Sequence, residues 1–324
     1  MPTRRTIGVD IGGTKLLAGV VGTGLEVHHR TQRTVAGLDQ PSLLDVMVGA
    51  IEELRQTAGD EPLAVGFGVP CLMDHRTGTA LMSVNLPLEN IALADVMTER
   101  LGLPVLADND ANVAALAEHR AGAARGARQA VVLTIGTGIG GGLIIGGELY
   151  RGSIGAGAEL GHTVVDANGP RCQGNCPNRG CVEAVASGTA LAREATRLAR
   201  ERPDSGLARA LASGRDVVGP LVTELAHDGD AAAIEVLALI GTRLGVAISS
   251  FVNIFNPEVV VLGGGVMAAG NLLLDSVRAE VAARALPPGR DTVRIAVAAF
   301  GVEAGMVGGA VLAFDAVAGR GIHL

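Results

Sequence analysis

The chain has 324 residues, 48% of them hydrophobic and 2% aromatic, with 47 glycines and a formal net charge of -7. That length favours two domains, and the composition builds a core of Ala, Val, Leu and Ile between glycine turns, as in an α/β enzyme and unlike a disordered or fibrous chain. The acidic balance and the lack of a basic run exclude the concentrated Lys/Arg surface of a nucleic-acid binder, and glycine-broken apolar runs such as VVLTIGTGIGGGLIIGG argue against a membrane span.

At the N-terminus MPTRR leads directly into TIGVDIGG, without the apolar core of a signal peptide, so a cytoplasmic location is expected and disulfides are disfavoured. Ile7 to Val21 (IGVDIGGTKLLAGVV) reads as strand, glycine turn, strand. Lys15, in that turn, is the only lysine among 26 basic residues. Either an arginine-biased composition spared it, or the position needs a compact ammonium where a guanidinium does not serve. SLLDVMVGAIEELRQTAG has helical spacing, PLAVGFGVP is a strand ending in a turn, and LPVLADND is a strand feeding the helix ANVAALAEHRAG.

Val131 to Ile145 (VVLTIGTGIGGGLII) repeats the first hairpin pattern, which suggests an internal duplication. Its tip, GTGIGG, fits G-x-G-x-x-G, but the residues after it form another strand where a dinucleotide fingerprint must open a helix. No P-loop pattern occurs either, which leaves two glycine hairpins whose backbone N–H groups could hold phosphate. After a Cys-rich loop, SGTALAREATRLARER reads as a helix and AAAIEVLALIGTRLGVAISSFVNIF as a long one, followed by the strand NPEVVVLGGGV and the helix GMVGGAVLAFDAVAG. Residues 203–219 read as loop, and no long linker divides the chain.

Asp110, where a strand meets a helix N-terminus, is placed either as a general base or as a helix N-cap. His162, Cys172, Cys176 and Cys181, spaced H-x9-C-x3-C-x4-C, suit a tetrahedral zinc site better than a core, whereas the isolated Cys71 suits packing. Glu159 and Glu183 flank that loop, and position alone leaves them either sugar-binding carboxylates or surface charges.

VDIGGTK, NDANVAAL, TIGTGIGGG, GAGAELGH with its Cys-rich sequel, and NPEVVVLGGG together resemble, in order and over nearly the whole chain, the ROK family of repressors and sugar kinases. The likeness is greatest to the bacterial glucokinases, because the stretch before Ile7 leaves no room for the repressors' helix-turn-helix. The resemblance implies an actin-like ATPase (ribonuclease H-like) fold. Two α/β domains would flank a cleft, with residues 1–110 and a C-terminal helix at about 304–324 forming the small one and residues 111–303 the large one that carries the zinc loop. It implies ATP-dependent phosphorylation of glucose at the 6-hydroxyl with Mg²⁺, a structural Zn²⁺, and a homodimer or homotetramer. Asp110 would be the base, and Gly68, Asn85, Asn109, Glu159, His162 and Glu183 would border the sugar. Gly12, Gly13, Thr14, Lys15, Thr137, Gly138 and Gly264 would border the nucleotide. Two departures stand out: the family commonly has C-x-C then Gly where this chain has C-x3-C then Pro177, and a glycine where it has Cys71. Another hexose (fructose, mannose or N-acetylmannosamine), polyphosphate as donor, and a non-catalytic sugar sensor are the alternatives.

Overall fold

A computed structural model describes residues 4–58, 62–83 and 85–319. The chain gathers into two compact units, Met1–Arg128 with Gly142–Ala158 and Ala299–Leu324, and Gln129–Gly141 with Glu159–Ala298.

In the first unit, the apolar strand β1 (Arg5–Ile11) buries Ile7, Val9 and Ile11 completely and pairs antiparallel with β2 (Lys15–Gly22), which pairs with β3 (Val27–Thr34). Helix α1 (Gln40–Ala58) turns Leu43, Leu44, Met47, Ala50, Ile51 and Leu54 inward, the stripe of a helix with one buried face. Strand β4 (Val65–Val69), buried throughout, runs parallel to β1. A separate antiparallel sheet of β5 (Cys71–Asp74), β6 (Thr79–Ser83) and β7 (Glu89–Ile91) follows. Helix α2 (Leu93–Leu101) is capped by Gly102 in the left-handed conformation and leads into β8 (Val105–Asn109), which runs directly into α3 (Asp110–Ala121).

The second large sheet uses β9 (Gln129–Ile135), β10 (Ile139–Ile145), β11 (Glu148–Leu149), β12 (Val259–Gly263) and β13 (Arg294–Val297). Its order, β11-β10-β9-β12-β13, repeats the order β3-β2-β1-β4-β8 of the first sheet, third-second-first-fourth-fifth in each. The duplication visible in the two hairpins therefore extends over whole sheets.

The helices of the second unit are α4 (Val182–Ala186), α5 (Gly188–Glu201), α6 (Gly206–Ala212), α7 (Gly219–His227), α8 (Ala231–Phe255), α9 (Asn271–Arg284) and α10 (Gly289–Thr292). Helix α6 falls within the stretch read as loop. It forms because Ser205 caps it by accepting from the Ala208 N–H and because Leu207 and Ala210 find burial, which so short a segment does not announce by periodicity. Helix α8 is long and apolar enough to cross a membrane by length and composition, but it contains Glu235 and Arg243 and packs on α9 as a core helix.

The last helix, α11 (Ala304–Val317), ends before residues 320–324, which lie outside the described residues. It packs on β1, β4 and α3 at backbone contact. A Cβ on Gly8 would stand 1.8 Å from Met306 O, one on Gly66 1.9 Å from Gly309 O, and one on Gly308 1.7 Å from Val113 O. Because α11 holds α3 this closely, the first unit continues past residue 110 through the whole of α3.

Candidate active site

The C-terminal ends of β1, β4 and β8 meet at one sheet edge, with Asp10 opposite Gly68 and Gly68 opposite Asp108. Ligands of open α/β sheets bind at such edges. A Cβ on Gly68 would lie 2.4 Å from Val113 Cγ2 and 3.5 Å from Asp110 Cα, so only glycine lets α3 begin here.

The capping role open to Asp110 belongs to Asn109. Its Oδ1 accepts the N–H groups of Ala111 (2.9 Å) and Asn112 (3.3 Å), while its Nδ2 donates to Cys71 O (3.2 Å). Asn109 thus has one amide hydrogen left for a ligand. Asp110, relieved of capping, accepts from the Ala111 N–H (2.9 Å) through Oδ1. Burial raises its pKa above the usual carboxylate range against the lowering effect of the backbone N–H groups of Ala111 and of Asp110 itself.

Asp10 is a site residue the sequence reading missed. Its pKa is raised to about 7, first by burial and then by the charge of Asp110. Its carboxyl group sits on the first turn of α11, where a Cβ on Gly305 would come within 2.4 Å of Asp10 Cγ. The signal was there in VDIGG, an acid ending an otherwise apolar strand.

Beneath Asp110 lies a partly buried ion pair. Asp108, 2% exposed, accepts from Arg151 Nε (2.6 Å), from the Asn109 N–H (2.7 Å) and from Asn112 Nδ2 (2.9 Å). This carboxylate therefore fixes the turn that carries Asp110 and ties it to the loop that follows Tyr150. Cys71, 3% exposed, is a packed thiol whose pKa burial pushes up to about 11.

Gly12, Gly13 and Thr14 form the first hairpin turn, closed by Gly12 N–H to Lys15 O (2.8 Å), and Lys15 opens β2 exposed to solvent. Gly13 adjoins Asn85, whose Cβ would be 3.1 Å from a Cβ on Gly13.

The second unit holds the other sequence-predicted residues. Thr137 and Gly138 form the tip between β9 and β10, and Gly264, at φ 90°, lies against the end of β9, where a Cβ would come 2.4 Å from Ile135 O. Glu183 Oε2 accepts the Ile139 N–H (2.8 Å) and its Oε1 takes a bond from Cys172 Sγ (3.6 Å), so it is anchored between that tip and the Cys-rich loop. Glu159 precedes the 3₁₀ turn Leu160–His162, and Gly161 in that turn approaches Ile139 O so closely that a Cβ would be 2.0 Å away.

His162, Cys172, Cys176 and Cys181 converge, their ligand atoms all within 4.8 Å of one another. Cys172 Sγ lies 3.5 Å from His162 Nδ1, and Cys176 Sγ 3.9 Å from Cys181 Sγ. Burial raises the pKa values of Cys172 and Cys181; Cys181 and Cys176 add to the rise at Cys172, while at Cys181 a lowering hydrogen bond with Cys172 opposes burial and Cys176, and a dication would relieve this crowding by displacing the protons. Three thiols and one imidazole at this spacing fit a tetrahedral metal, and C-x3-C brings both Cys172 and Cys176 into the group.

The ROK family pattern matches residues 6–316, and the chain belongs to the ROK family. It is 35% identical to a glucokinase of Thermotoga maritima over 98% of this chain and 100% of that one. Among solved structures it is similar to a ROK family glucokinase from Streptomyces griseus in complex with glucose and AMPPNP (33% identity, TM-score 0.86, 96% of this chain and 99% of that one). It is also similar to a ROK family transcriptional regulator, homolog of E. coli MLC protein (29% identity, TM-score 0.86, 96% of this chain and 78% of that one). The fold is therefore the actin-like ATPase fold of ROK sugar kinases.

Arg151→Met leaves Asp108 buried and unpaired, which costs about 3 to 5 kcal/mol in chemical denaturation. Asp108→Asn in the same chain recovers most of that, and equal stability of wild type and Arg151→Met contradicts the pairing. Asp10 holds its proton more tightly folded than unfolded, so its contribution is complete below pH 3.8 and is lost as pH rises through about 7. In metal-free buffer, the Tm of Asp10→Asn relative to wild type should therefore climb across that interval. A pH-independent difference rejects the assignment.

Proposed function

We propose that this chain is a glucokinase that transfers the γ-phosphoryl group of Mg·ATP to the 6-hydroxyl of glucose, with Asp110 as general base. The observation that carries this reading is the Asp110 carboxylate, released from capping by Asn109 and raised in pKa by burial at the sheet edge. A base must be basic enough to take a hydroxyl proton and yet ionised near neutral pH. The nearly full-length similarity to glucokinases supports the substrate and the donor.

Phosphoryl transfer asks the protein mainly to position and to balance charge. Asp110 accepts the 6-hydroxyl proton through the carboxylate oxygen that Ala111 leaves free. Gly68, Asn85 and the remaining amide hydrogen of Asn109 border the sugar in the first unit, and Glu159, His162 and Glu183 serve it in the second. His162, with Nδ1 toward the cysteines, keeps Nε2 for a sugar hydroxyl. Gly12, Gly13, Thr14, Thr137, Gly138 and Gly264 offer close backbone to the nucleotide, and Lys15 places its ammonium near the phosphates. Mg²⁺ would neutralise phosphate charge when bound, and the hard oxygens of Asp10 suit it. Zn²⁺ on His162, Cys172, Cys176 and Cys181 would brace the loop without entering the chemistry, all four positions being filled by protein.

A second reading, a sugar-responsive regulator, draws on the likeness to the ROK transcriptional regulator. Asp110→Asn separates the two. As an enzyme, the variant loses turnover by at least about 10²-fold while glucose binding by calorimetry stays within a few-fold, and wild-type turnover falls as pH drops below the raised Asp110 pKa. Unchanged turnover removes Asp110 as the base. Elemental analysis should give about one zinc per chain, falling to under about half in Cys176→Ser, and a wild-type value that low rejects the Cys₃His site.

A further inference from the structure

The tip of the second hairpin is held from behind by side chains and backbone of its own unit. Gly136 O accepts the Gly188 N–H (2.8 Å), and Thr137 O accepts both Thr189 Oγ1 (2.9 Å) and Gln173 Nε2 (3.2 Å). A trans peptide points its C=O and its N–H in opposite directions. Fixing the carbonyls of residues 136 and 137 toward α5 and the Cys-rich loop therefore turns the N–H groups of Thr137 and Gly138 the other way. The next N–H, that of Ile139, is taken by Glu183 (2.8 Å), and the Gly136 N–H closes on Gly138 O (2.9 Å). Thr137 and Gly138 are left as two consecutive donors facing away from the protein's own acceptors, the arrangement of an anion-binding nest.

The orientation of Gln173 is determined by its partners. A carbonyl only accepts, so the amide nitrogen must face Thr137 O, and the same NH₂ group reaches Ser187 Oγ (3.2 Å), the buried cap of α5. Gln173 lies among the three residues that separate Cys172 from Cys176, in the same C-x3-C spacing that departs from the family habit.

We propose that Gln173 is a positioning residue for nucleotide: it latches the Cys-rich loop to Thr137 O and so keeps the Thr137 and Gly138 N–H groups turned toward the donor's phosphates. Without the latch, and more so without Thr189 as well, the peptide between residues 137 and 138 is free to flip and present its carbonyl to an anion. The inference rests on the kinase reading, in which this tip holds phosphate. It adds that the loop bearing the metal ligands also sets donor affinity.

The test is calorimetric titration of the full chain, with Mg²⁺ present, by ATP, by ADP and separately by glucose, for wild type, Gln173→Met and Thr189→Val. Both replacements match the native side chains in size; each removes its hydrogen bond to Thr137 O, Gln173→Met losing the bond to Ser187 Oγ as well, and neither residue is a metal ligand. Loss of the bond to Thr137 O is expected to weaken ATP and ADP by roughly 3- to 10-fold in each variant, and further in the double variant, with glucose affinity unchanged. Wild-type ATP affinity in both single variants overturns the latch and leaves the kinase reading intact. A parallel fall in glucose affinity overturns it in favour of general loosening of the loop. A wild-type chain that binds glucose but no nucleotide overturns both.

Discussion

The contact on which the first unit is built is backbone against backbone. Helix α11 lies on β1, β4 and α3 with glycines at Gly8, Gly66 and Gly308, where any Cβ would overlap a carbonyl oxygen. Side chains normally hold a helix 8 to 10 Å from its neighbour, and their removal lets the layers close up. Gly305 then lies against the Asp10 carboxyl, and Gly68 lets α3 start beside it, so Asp10 and Asp110 end on one edge close enough for the Asp110 charge to raise the Asp10 pKa. Glycine-for-alanine economy thus sets the electrostatics of the site.

A second constraint recurs at both chemical centres: a polar group is available to a ligand only if the structure has satisfied its neighbours. Asn109 takes over the cap of α3, and Asp110 is left with an oxygen to use. The carbonyls of Gly136 and Thr137 are engaged from behind, and two N–H groups are left outward. Asp108 does the same for the turn before Asp110, accepting three donors while 2% exposed.

Much of this was legible in the sequence because it rests on local pattern. Both glycine hairpins, the strand-to-helix step at Asp110, the long α8 and the Cys₃His grouping follow from apolar periodicity, turn residues and ligand spacing. The remainder depends on contacts between distant residues. Arg151 is one of 25 arginines until the fold sets it on Asp108, 43 positions away. Gln173 looks like loop filler until it meets Thr137, and Asp10 seems only a strand end until Asp110 and α11 close on it. Helix α6 escaped because a seven-residue helix carries too few turns to show a stripe.

The central claim, that these two units form a glucose kinase, is tested most directly by a spectrophotometric assay of the purified chain with glucose and Mg·ATP, coupled through glucose-6-phosphate dehydrogenase. Only phosphate placed on the 6-hydroxyl gives signal. The account predicts sustained turnover that depends on both glucose and ATP. No turnover with glucose, at protein concentrations where a positive-control kinase is readily detected, would contradict it.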